Sequence, residues 1–185
     1  MSLEYAILGF LNYKPLSGYD LKKIFDNSVR HFWSADQSQI YRTLARLTDQ
    51  GMADVEVVEQ EDRPDRKLYH ITPSGQQALI DWLGGPFPTQ EARSAPLVQV
   101  FFSGKLPDDV VRAKFVEAAA LFRTFLERYQ QVPFQIDEYV DMVNSPREVF
   151  FWMLTLELGK KTMQAQLEWA ESVIRQFDQH EVPSR

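Results

Sequence analysis

No cysteine occurs in the 185 residues. Disulfides and thiolate metal sites are thereby excluded, and the composition fits a reducing cytoplasm. No apolar run approaches the roughly 20 residues needed to cross a bilayer, so no membrane contact is expected. Histidine is scarce. His31, His70 and His180 stand far apart, which leaves a metal site or a Ser/His/Asp centre little to build on. Neither a cofactor nor catalysis is expected. Positive charge is short as well: 20 Lys and Arg stand against 26 Asp and Glu, for a net charge of −6. Residues 1–85 hold nine basic and twelve acidic side chains, and the remainder also balances to −3. Affinity for a polyanion would have to come from where the charges sit, since their sum opposes it.

What is present is ample for folding. Hydrophobic residues make up 44% and charged residues 25% of the chain, enough for one or two small domains with cores. The opening stretch MSLEYAILGFLNYK is apolar but short, and Glu4 stands where a leader would be positive, so a folded helix is expected. Ile7, Leu8 and Leu11 set its helical stripe over Leu3 to Tyr13, and Pro15 ends it. Ser17 with Asp20 three residues on is a capping-box variant that opens a second helix, with Leu21, Ile24 and Phe25 inward. A turn is expected over Asn27 to Trp33. Ser34 or Asp36 then caps a third helix over Gln37 to Gln50, cored by Ile40, Leu44 and Leu47 and stopped by Gly51. Ala53 to Val58 and Lys67 to Ile71 alternate as strands, with Leu68 and Ile71 expected in the core. Gln60 to Arg66 form the turn between them. Thr72-Pro73 opens a fourth helix that runs to Trp82 or Leu83.

Gly84, Gly85, Pro86 and Pro88 then mark a boundary, with a linker over 85–95 dividing residues 1–84 from a helical region over 96–180. In that region Leu97 to Phe102 is expected to be a short buried helix. Val111, Phe115, Ala118, Phe122, Phe125 and Tyr129 form a seam on the next. The last helix repeats apolar residues by fours and threes: Val149, Met153, Leu156, Met163, Leu167, Ala170, Ile174 and Phe177, broken only by Lys160. This stripe spans roughly 45 Å at 1.5 Å per residue. One small domain covers such a length poorly, so Met153, Leu156, Met163, Leu167, Ile174 and Phe177 are candidate dimerisation residues.

The order helix, helix, helix, β-hairpin, helix is that of a winged helix-turn-helix. The fold class expected is therefore mainly α: an N-terminal winged helix-turn-helix with a two-stranded wing, then a C-terminal helical dimerisation domain. The third helix is short, capped and polar on its outer face, as a major-groove reader must be. Gln can pair with adenine and Arg with guanine at two points each, which makes Gln37, Gln39 and Arg42 candidate base readers. Ser38, Tyr41 and Arg46 suit phosphate oxygens. On an isolated helix Arg42 and Arg46 would read as a solvated face. The hairpin with Arg63, Arg66 and Lys67 at its tip favours DNA, because a two-stranded ribbon can lay such residues beside the helix. Trp33 and Trp82 are read as core anchors. Phe101, Phe102, Phe122, Phe150, Phe151 and Trp152 are read as core or interface, with the lining of an effector pocket as the alternative.

These residues carry a family resemblance. Ser17-Gly18-Tyr19-Asp20-Leu21, then Phe32-Trp33 with Gln39-Ile40-Tyr41-Arg42-Thr43-Leu44, then Arg63-Pro64-Asp65-Arg66-Lys67-Leu68-Tyr69-His70-Ile71-Thr72, completed by Gly75 and Trp82-Leu83, resemble the PadR family of transcriptional regulators. Within it the chain is most similar to the AphA-like, virulence-activator subgroup. Met52-Ala53 departs from the plain aliphatic pair usual after the glycine. The resemblance implies a homodimer on inverted-repeat operators in double-stranded DNA. It places Gln39, Tyr41 and Arg42 on the recognition helix and Arg63, Arg66 and Lys67 on the wing. It leaves open the sign of regulation and whether a small-molecule effector exists. The acidic balance supports one alternative, a winged-helix adaptor that binds proteins and no specific DNA.

Overall fold

The computed structural model describes residues 2–29, 32–59, 65–88, 94–135, 143 and 145–183. They fall into two compact units, one running to Pro88 and one holding the long C-terminal helices.

In the first unit α1 (Ser2–Tyr13) buries Ile7, Leu8 and Leu11. The chain turns at Pro15 and enters α2 (Gly18–Ile24) through a full capping box between Ser17 and Asp20. In place of the turn expected from Asn27, the helix widens into a π-helical turn over Phe25–Val29. Phe25 is thereby kept in the core, where its ring meets Phe10 edge-on at 5.3 Å. Asp36, rather than Ser34, caps α3 (Gln37–Asp49), whose inner face is Ile40, Thr43, Leu44 and Leu47. Gly51 stops it with φ 68, a conformation that side chains disfavour.

Strands β1 (Ala53–Val58) and β2 (Arg66–Ile71) pair antiparallel, Ala53 opposite Ile71 and Val58 opposite Arg66. Residues 60–64 of the expected turn, Arg63 among them, lie outside the described residues. Tyr69 is the buried residue of β2, and Leu68 is only half-buried. The expected pair Leu68 and Ile71 is three apart, and a strand with a period of two cannot turn both to one face. Tyr69 shares the face of Ile71. It also exchanges two backbone hydrogen bonds with Leu16 (3.2 and 2.9 Å), so the loop before α2 adds a one-residue bridge to the sheet. α4 (Pro73–Leu83) starts at Thr72, whose hydroxyl accepts from the Gly75 amide at 3.1 Å, and loss of such a cap costs about 1 kcal/mol. Trp82 anchors α4 by stacking on Tyr5 of α1 at 4.7 Å.

In the second unit α5 (Ala95–Phe101) is followed by a 3-10 turn and α6 (Asp108–Gln135), and α7 (Pro146–Asp178) is the last helix. α6 and α7 run antiparallel. Arg112 meets Asp178 at 2.7 Å and Arg123 meets Glu171 at 2.6 Å, exposed pairs that set register more than they stabilise. Between the helices lie Val111, Phe115, Ala119, Leu167 and Ala170, with Phe122, Leu126, Val173, Ile174 and Phe177 packed on them. The α6 stripe shifts from Ala118 to Ala119 because a straight helix drifts about 20° per heptad from a 3.5 repeat.

Two expectations are corrected here. The α7 stripe is not left for another subunit to cover: Leu167, Ile174 and Phe177 pack on the chain's own α6. Leu156 is also buried within the chain, and Met153 and Met163 are half-buried. α5 is not buried either, because its Leu97, Val98 and Phe101 face outward, as does Phe102 just beyond it. An apolar surface does remain open on α7, on the opposite face. Phe151, Leu154 and Leu158 are exposed there, within a stripe about 60° wide at about 100° per residue, while Trp169, also part-exposed, meets Phe115 of α6 edge-on at 5.2 Å. Trp169 walls a shallow groove of about 490 Å³ with Lys161, Thr162, Ala165 and Gln166. Among the described residues no helix is long and apolar enough to cross a membrane.

Candidate nucleic-acid interface

The core stripe of α3 dictates what its other side presents. With Ile40, Thr43, Leu44 and Leu47 inward, the helical period puts Ser38, Arg42, Ala45 and Asp49 at the centre of the outer face. Gln37 and Tyr41 flank that centre on one side, Gln39 and Arg46 on the other. All six candidate residues of this helix are exposed.

Their local partners separate them. Arg42 folds back along the helix and donates from Nε to the Ser38 carbonyl at 3.3 Å. Its charge is carried toward the helix N-terminus, the end that meets base edges in helix-turn-helix docking. The Ser38 hydroxyl donates to Asp36 at 2.6 Å. The Gln39 side-chain oxygen accepts the Asp36 amide at 3.0 Å as the return half of the capping box. Reading adenine at two points needs that oxygen, so Gln39 serves the cap first. Arg46 is drawn off the outer face by an ion pair with Glu4 of α1, Nε to carboxylate 2.5 Å. It ties α3 to α1. Hydrogen bonds from Ser38 and from the Gln39 amide, helped by the charge of Arg42, hold the Asp36 carboxyl below the ordinary carboxylate range.

The segment Ser17 to Asp20 underlies both the recognition helix and the wing. Gly18 lies beneath the ring of Tyr41: a Cβ added there would stand 2.5 Å from Tyr41 Cε1. Two residues on, Asp20 Oδ2 accepts three donors, the Ser17 amide at 3.0 Å, the Ser17 hydroxyl at 2.6 Å and Arg66 Nη2 at 2.5 Å. Burial pulls the Asp20 carboxyl upward, but the bonds from Ser17 and Arg66 and the Arg66 charge outweigh it and leave it below its usual value. Tyr69 sits close by, its hydroxyl raised by burial and by the neighbouring Tyr41. Lys67 is exposed on β2 opposite Val57. Tyr41 and Arg66 thus share one support, while Arg46 is directed elsewhere. Glu4 and Gly18 carried no sequence signal for these contacts, and Asp20 was legible only as a cap.

The ring of Tyr41 is the free end of a side chain, so it can yield. Gly18→Ala is expected to leave stability within about 1 kcal/mol of wild type while displacing that ring. Tyrosine side-chain NMR shifts and a thermal melt check both halves.

Residues 7–81 match the transcriptional regulator PadR-like family, and residues 92–178 match the family described as virulence activator alpha C-term. The negative transcriptional regulator PadR of Bacillus subtilis (strain 168) is 30% identical over 184 residues, 95% of this chain and 97% of that protein. The chain belongs to the PadR-like family of transcriptional regulators. Solved structures of the Bacillus subtilis PadR agree. Its complex with operator DNA superposes with a TM-score of 0.82 at 29% identity, covering 96% of this chain and 99% of that one. Its complex with p-coumaric acid gives 0.73 at 29% identity, with the same coverage. The Vibrio cholerae virulence activator AphA shares the fold at a TM-score of 0.72 and 24% identity, covering 96% of this chain and 99% of AphA. This PadR-like chain therefore has the winged-helix fold with C-terminal helices that its sequence predicts.

Proposed function

We propose that this PadR-like regulator binds operator DNA as a homodimer on inverted repeats, with α3 in the major groove and the β1–β2 wing beside it. The observation that carries the proposal is the outer face of α3: Arg42 at its centre, aimed at the helix N-terminus, with Tyr41 and Arg66 braced on one segment. Residues 1–84 would form the DNA-binding domain, 85–95 the linker and 96–180 the dimerisation domain, working in the cytoplasm where the operator is. Support for the dimer moves from the inner α7 stripe to the outer one of Phe151, Leu154 and Leu158, with α5 adding Leu97 and Val98. Two-fold symmetry would set the recognition helices one DNA turn apart, about 34 Å, or a multiple of it.

An anisotropy titration on fragments of the chain's own upstream region tests this. Arg42→Ala should weaken binding by about 1–3 kcal/mol and relax sequence preference at one position. Arg66→Ala should weaken all sequences alike and lower the salt slope by about one unit. If both variants bind like wild type, the interface is misplaced. Salt separates the adaptor alternative, which forms no specific DNA complex at any ionic strength.

A further inference from the structure

We propose that Asp20 is a positioning residue for DNA binding: it aims the wing arginine, Arg66, from the first turn of α2. The proposal rests on the placement of Arg66 at the DNA surface. Asp20 reaches across 46 positions of sequence to hold Arg66 Nη2, and the same carboxylate oxygen is fixed by the Ser17 amide and hydroxyl. Arg66 is therefore held by an anchor that is itself held. Three residues further along β2, the backbone pair between Tyr69 and Leu16 fastens the strand to the same loop. Arg66 has two points of reference to α2, one through its own side chain and one through its strand.

A guanidinium has five N–H donors in a rigid fork. One edge on Asp20 leaves the others for a phosphate oxygen, and the Arg66 side chain is 46% exposed, open enough to reach one. A lysine-like point charge could not serve both partners with this geometry. Pre-ordering a long side chain removes part of the entropy lost on binding. Asp20 would therefore strengthen binding even though its own charge repels DNA. Tyr41, whose ring lies on Gly18 two residues before Asp20, takes its position from the same segment. The start of α2 sets the wing arginine and the recognition helix relative to each other.

The test is a double-mutant cycle on the full chain, with an operator fragment titrated at several salt concentrations. Asp20→Asn keeps acceptors for Ser17 but drops the charge facing Arg66. It should weaken operator binding about three- to ten-fold, the scale of ordering one long side chain. In the Arg66→Ala background the same change should move affinity by less than about two-fold, because nothing is left to aim. Asp20→Glu, which retains both cap and charge, should recover most of the loss. Tighter binding by Asp20→Asn would overturn the proposal and make Asp20 a competitor of DNA for Arg66. An equal loss in both backgrounds would also overturn it, assigning Asp20 to the helix cap alone. Normal binding by Arg66→Ala would remove the placement of Arg66 itself, a failure distinct from the other two. Nitrogen-15 relaxation at Arg66 Nε in the wild-type protein without DNA needs no variant to fold. An ordered side chain is expected, and a freely rotating one would overturn the proposal.

Discussion

Alanine at position 75 is expected to destabilise the N-terminal unit severely. Gly75 lies in the first turn of α4, where an added Cβ would sit far inside van der Waals contact of the Met52 carbonyl oxygen and 3.0 Å from Ile71 Cγ1. The nearer obstacle is backbone, and the farther one is the Ile71 side chain. The Met52 oxygen accepts the Thr72 amide at 3.1 Å, and the adjacent Gly51 oxygen accepts the Thr72 and Ser74 hydroxyls, each at 2.7 Å. The junction between α3 and β1 is thus bolted to the α4 N-terminus at a separation only a hydrogen atom permits. Overpacking by one methyl usually costs about 1–3 kcal/mol where side chains can shift. Here the nearest atom is a backbone oxygen held by the Thr72 amide, so the penalty should exceed about 3 kcal/mol, a large part of the roughly 5–15 kcal/mol that holds a domain together. Urea denaturation followed by tryptophan fluorescence would measure it. An unchanged midpoint would show that the two segments are not in contact.

The second large effect should appear in assembly. Leu154→Asp with Leu158→Asp places two charges on the exposed outer stripe of α7, facing away from α6. The doubly substituted chain should keep its helical circular dichroism, scatter light as a monomer and lose about 10²–10⁴ in operator affinity, since one head no longer raises the local concentration of the other. Leu167→Asp with Ile174→Asp should behave differently. Those residues pack against α6, so the helices themselves should lose stability. A dimer that survives the outer pair would sink the assignment of this surface.

The contrast between these two α7 faces shows what the sequence could and could not tell. Local signals were legible: the Ser17 and Thr72 caps, the α3 core stripe and the Gly51 stop each depend on residues within one turn. So was the element order, and with it the fold. Long-range partners were not. Nothing near Arg46 announces Glu4, and nothing near Arg66 announces Asp20, because tertiary packing chooses those pairs. The α7 stripe was visible as apolar, but a heptad pattern fits a helix of the same chain as well as one from another. Two stripes on one helix were needed, and the outer one stops at Lys161 and Thr162, which hid its period.

Because α6 and α7 cover each other within one chain, their folding is separable from the pairing proposed above. A chain whose long helices hold only through a second copy melts at a temperature that follows its concentration. Here the folding of these helices is unimolecular, whereas the proposed pairing is not. If the chain pairs on an operator as proposed, dilution should empty that operator well before it melts a helix, and copy number would set occupancy while an unpaired chain stays folded.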